Sequence, residues 1–114
     1  MPAYRLDLLI EQGSKFERVV AVQDATGQVR NLTGYTARMQ ARESISSSST
    51  LFDITPDISG AQGLVTVTIP SSETTDYTWS KGVYDLEIVN TAGDGEVERI
   101  LEGGITLSLE VTRD

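Results

Sequence analysis

The side chains in this sequence that could do chemistry are carboxylates. Seventeen aspartates and glutamates stand in 114 residues, with no histidine and no cysteine. Two pairs are closely spaced: Asp53 and Asp57 in Asp-Ile-Thr-Pro-Asp, and Asp94 and Glu96 on either side of Gly95. Paired acids are the machinery of glycoside hydrolysis, where one donates a proton and the other attacks or activates water. That reaction needs a cleft holding several atoms of sugar, which a domain of this size rarely provides. Loop acids can also hold calcium, which takes about six to eight oxygens. No Asp-x-Asp-x-Asp-Gly loop is present, so solvated surface acids are the ordinary reading and a weak calcium site the alternative. Without histidine or cysteine there is no imidazole base, no thiolate nucleophile and no ordinary zinc site. The sequence has no GxGxxG and no P-loop, and Gly93-Asp94-Gly95 is followed by Glu96 and Glu98, an acid-rich setting that repels phosphate. No catalytic residue, cofactor or metal is assigned, and the chain reads as a non-enzyme.

The charge balance narrows the partners. Nine basic residues against seventeen acidic ones leave a net charge of -8 and a pI near 4.4. Nucleic acid and anionic lipid need clustered Lys and Arg, so neither is an expected partner. The N-terminus has no basic region leading into an apolar stretch, and no apolar run approaches the roughly 18 residues of a membrane span. Pro2 excludes N-myristoylation, which needs glycine there. Synthesis in the cytoplasm is expected.

The elements that must position these groups are strands. Apolar residues alternate at period two in Tyr4–Ile10, Tyr35–Ala41, Val65–Ile69, Tyr84–Ile88 and Ile105–Val111. Successive side chains of a strand point to opposite faces, so each run predicts a half-buried strand. Further strands fit Phe16–Val22, Leu51–Ile54 and Val97–Leu101, for about eight in all. Turn chemistry separates them at Ala25-Thr26-Gly27-Gln28 after Asp24, at Leu32-Thr33-Gly34, at Ser59–Gly63 and at Ala92-Gly93-Asp94-Gly95. Gly103-Gly104 predicts a bulge or corner before the last strand. Each strand's one apolar face must be covered by a second layer, so the chain reads as a single all-β domain over 1–114, a sandwich or small barrel.

Two segments break the alternation. Ser44–Thr50 is serine-rich and predicts an exposed, mobile loop, either a plain connector or one that orders against a partner. Pro70–Ser80 carries Ser71-Ser72-Glu73-Thr74, a helix-start pattern that predicts one helical turn before Tyr77 and Trp79. Those two aromatics either close one end of the core or serve as interface anchors or a sugar platform. Arg38 and Arg42 share a face of one predicted strand, for cross-strand charge pairing or contact with another subunit. The residues nominated for a protein interface are Arg38, Arg42, Ser46, Ser47, Leu51, Phe52, Tyr77 and Trp79.

Ordered blocks then suggest a family: Leu9-Ile10-Glu11-Gln12-Gly13-Ser14-Lys15-Phe16, Asn31-Leu32-Thr33-Gly34-Tyr35 running on to Arg42, Gly82-Val83-Tyr84-Asp85-Leu86-Glu87, Glu98–Gly103, and Leu109–Arg113. With these the chain resembles small tailed-bacteriophage virion structural proteins, and is similar to the N-terminal β-sandwich domain of phage upper-baseplate proteins. The resemblance implies an immunoglobulin-like antiparallel β-sandwich. It also implies a virion location at the neck, tail or baseplate, with other virion proteins as partners and several symmetric copies. A capsid decoration protein and a carbohydrate-binding module on the virion surface are the alternatives.

Overall fold

Two sheets face each other across a shared apolar core in the computed structural model, which describes residues 3–112. The ends of the predicted domain, Met1, Pro2, Arg113 and Asp114, lie outside the described residues. Among the described residues nine strands follow in order: β1 Tyr4–Arg5, β2 Leu8–Glu11, β3 Phe16–Ala21, β4 Tyr35–Arg42, β5 Phe52–Ile54, β6 Asp57–Ser59, β7 Leu64–Ile69, β8 Lys81–Asn90 and β9 Val97–Ser108. One helical turn, α1 (Ser71–Thr74), lies between β7 and β8. The larger sheet runs β1-β9-β8-β4-β5 with β2 also on β9, and the smaller runs β3-β7-β6. This is the predicted all-β sandwich.

The alternation places the core. Ala37, Met39 and Ala41 of β4, Leu86 and Ile88 of β8, and Leu101, Ile105 and Leu107 of β9 are buried from one side. Val65, Val67 and Ile69 of β7 meet them from the other. Removing such side chains from water is the main stabilising term for a domain of this kind.

Four details depart from the sequence reading. The sheet is not wholly antiparallel, because β1 and β2 run parallel to β9 in one continuous register, from Tyr4 opposite Leu101 to Glu11 opposite Ser108. The predicted Tyr4–Ile10 strand breaks at Leu6-Asp7, where the Asp7 carboxylate accepts the Gly104 N–H at 2.8 Å in place of a backbone carbonyl. The two predicted strands Val97–Leu101 and Ile105–Val111 join into one twelve-residue strand that stops at Ser108, short of the predicted Val111. Gly103-Gly104 is no bulge; the irregularity lies beside Ile100, between the pairs Leu86–Leu101 and Glu87–Arg99. Gly103 serves close approach instead, since a Cβ there would overlap the Leu6 carbonyl oxygen. Its cross-strand neighbour Tyr84 is buried and donates its hydroxyl to the same carbonyl at 2.5 Å.

The turns follow the predicted chemistry. Asp24 Oδ1 accepts from the Thr26 and Gln28 N–H groups and from the Thr26 hydroxyl, which caps a loop that Gly27 completes at φ 86. At Leu32-Thr33-Gly34 the local bond comes from Asn31, whose Oδ1 accepts the Thr33 N–H.

Candidate functional site

The nominated residues occupy three places. The first is one end of the core. Phe52 opens β5 and is buried, with its ring 6.1 Å from Tyr77 and nearly parallel to it. Trp79 lies 6.3 Å from Phe52 and 5.6 Å from Tyr77, tilted 40° to the latter. Tyr77 and Trp79 are half-buried against the core. These rings close the sandwich, as the core reading of Tyr77 and Trp79 holds. Phe52 corrects its nomination: the β4–β5 pairing sets it opposite Ala41 on the inward face, so it is a core side chain and not an exposed contact. Leu51 is half-buried and packs over Gly82. Burial, with the Glu73 carboxylate second, pushes the Tyr77 hydroxyl up to about 12, so it stays neutral and able to donate.

The second place is the loop between β4 and β5. Ser44, Ser46 and most of its neighbours are exposed, and Ile45 at its tip is 89% exposed. The loop carries more order than a mobile connector requires. The Ser47 N–H donates to the Ser44 carbonyl at 3.1 Å, and the Ser44 N–H donates to the Ser47 hydroxyl at 3.2 Å. Arg42 then ties the turn down by donating from Nη1 to the Ser47 carbonyl at 2.9 Å.

The third place is the outer face of the larger sheet. Arg38 meets Glu87, directly opposite on β8, at 2.7 Å, so the charge-pairing reading holds for Arg38. It does not hold for Arg42. The residue opposite is Val83, and the Arg42 guanidinium turns to the Gln40 side-chain oxygen at 3.1 Å and to the loop. Beside them Arg99 bridges Asp85 at 3.4 Å and Glu102 at 3.0 Å. Arg5, Arg42, Ile45, Asp85 and Arg99 rim a shallow depression of about 260 Å³. Burial, then the neighbouring Glu87, holds the Asp85 carboxyl above its usual value against the pull of Arg99.

Two of the spaced acids, Asp53 and Asp94, are hydrogen-bonded within the fold. Asp53 accepts from the Gln40 amide, and Asp94 accepts the Glu96 N–H inside the β8–β9 turn. Among the described residues, no group of three or more acids is placed to hold a metal ion.

Sequence reasoning missed a fourth feature. Between β3 at the edge of the smaller sheet and β1–β9 of the larger lies a groove of about 670 Å³. Tyr4, Leu6, Val20, Val22, Ile100 and Leu101 supply its apolar lining, with Tyr4 75% exposed. At one part of its wall Arg30 meets Glu98 at 2.8 Å and also donates to the Tyr35 hydroxyl at 3.3 Å. That hydrogen bond holds the Glu98 carboxyl below its usual value, against the opposing effect of burial. One signal was available in the sequence. Arg18 falls in the inward register between Phe16 and Val20, and a charge in a core-facing position marks an edge strand.

No family model matches the chain, and no curated protein matches it. Among solved structures, one named Tim-1 aligns over 100% of both chains with 14% sequence identity and a TM-score of 0.47. At that distance the likeness transfers no ligand, activity or partner to this chain.

Proposed function

We propose that this chain is a non-enzymatic structural subunit of a tailed-bacteriophage particle, an adaptor or reinforcing protein at the neck, tail or baseplate. The family resemblance of its ordered sequence blocks supports the location. The observation that carries the role is the disposition of its surface. Arg38, Glu87, Asp85, Arg99 and Glu102 on the larger sheet are engaged with one another, while an open strand edge lies beside an apolar groove. Such a surface is suited to holding another polypeptide and not to turning over a substrate. Partners are neighbouring virion proteins, met by several copies of this chain around a symmetric ring. The net charge of -8 keeps unassembled copies apart in solution.

Cryo-electron microscopy of the source particle tests the proposal. The expected result is this chain in symmetric copies against neck, tail or baseplate proteins. Copies confined to the capsid lattice would make it a decoration protein, and absence from finished particles would overturn the virion role.

A further inference from the structure

We propose that the free edge of β3 and the groove beside it receive an extended segment of a partner protein, which adds to the smaller sheet as a fourth strand and sets a carboxylate opposite Arg18. The inference deepens the assembly role and rests on it only for the source of the partner.

The backbone of β3 supplies the first argument. Among the described residues β3 pairs only with β7, and at six residues it is twice as long as β5 or β6, which end the other sheet edges on their sides. The Val22 N–H donates to the Gly63 carbonyl on the β7 side. Backbone groups alternate in direction along a strand, so the N–H and C=O groups of Glu17, Val19 and Ala21 face the open edge. Unpaired groups in a row are a template for another strand.

The mismatch between the sheets supplies the second. Three strands face a sheet that is wider, and the margin they leave is the groove lined by Leu6 and Ile100 beside the buried Leu101. A strand paired to β3 would lie about 4.8 Å beyond it and cover that margin. Its inward side chains would be apolar to match Val20 and Leu6.

Arg18 supplies the third, and it decides the occupant. It stands opposite Val67, a buried residue, so its side chain leaves β3 on the inward face, at the rim of the sandwich. Among the described residues no carboxylate lies within salt-bridge distance of it. Its charge is felt at the Tyr84 hydroxyl, which is bonded to Leu6 at the groove. An inward cation on an edge rejects unselected apolar strands and accepts one that carries an acid in register. It also disfavours the symmetric pairing of two copies that would set Arg18 against Arg18.

The test uses the full chain and two ten-residue peptides that alternate valine and threonine. One has a central glutamate on the valine face and the other a lysine there. The glutamate peptide is expected to slow amide exchange at Glu17, Val19 and Ala21 and to bind about tenfold more tightly than the lysine peptide. Arg18→Glu should invert that preference. Val19→Pro should abolish binding, because it removes an N–H from the open edge and none from the β7 pairing. Should Val19→Pro fail to fold, Arg18→Glu decides alone, since its side chain is exposed. Equal binding of both peptides, no slowing of exchange in β3, or slowing that grows with the concentration of this chain alone as its mass doubles would each overturn the inference. In the particle, copies with a bare β3 edge would overturn it while leaving the assembly role intact. Absence from the particle together with selective peptide binding would do the reverse.

Discussion

Thr74 is a fully buried polar residue in a four-residue helical turn, and its hydroxyl is what docks that turn. It donates to the Ser14 carbonyl at 2.8 Å and accepts the Gly13 N–H at 3.1 Å, which joins the β2–β3 connection to the segment carrying Tyr77 and Trp79. Thr74→Val keeps the shape and strands both backbone groups, so urea unfolding should show a loss of about 1–3 kcal/mol. Charged residues act more weakly and with opposite signs. Glu98 has a folded pKa below its unfolded value, so its contribution is complete above the unfolded value and is lost as pH falls through the folded one. Glu98→Gln should therefore flatten the acid limb of the stability curve below the ordinary glutamate range, by under about 1 kcal/mol because the pair is partly solvated. Asp85, held above its usual value, contributes most when protonated and loses that contribution as pH rises through its folded value. Asp85→Asn should remove a decline that sets in as pH rises above the ordinary aspartate value, rather than a rise.

At the scale of elements, Gly103 holds the N-terminal strand in place by having no side chain. Gly103→Ala would push on the Leu6 carbonyl and on the Tyr84 hydroxyl bonded to it, at a cost of about 1–3 kcal/mol. Amide exchange at Leu6, whose N–H donates to the Glu102 carbonyl at 2.9 Å, should quicken before exchange in β8 does. The same glycines mark the limit of what could be read in advance. Period-two alternation located Tyr35–Arg42 and the runs that became β7 and β8, because half-burial leaves its mark on every second residue. The paired glycines looked like an interruption, since their reason is a strand about a hundred residues away, and local pattern carries no trace of a distant partner. The parallel pairing of β1 and β2 was hidden for the same reason. β6 is too short to alternate. Of the nominated contacts, Arg38 was legible as a cross-strand pair, whereas Phe52, Tyr77 and Trp79 converge from segments well apart in the chain, and only the folded core brings them together.

For the whole molecule, the decisive join is between the beginning of the chain and its end. Tyr4 to Glu11 lie alongside Leu101 to Ser108 in the same direction. Tension applied at the two ends would draw these neighbours along one another lengthwise, loading their hydrogen bonds together rather than one after another. Tension applied across β8 and β9 near the Asn90–Val97 turn would instead part those antiparallel strands pair by pair. Optical-tweezer traces should accordingly show a markedly higher rupture force for handles at the termini than for handles at residues 90 and 97, and Gly103→Ala should lower the former while sparing the latter. The parallel join thus gives the fold a preferred direction of pull, strongest along the line that runs from β1 and β2 to the end of β9.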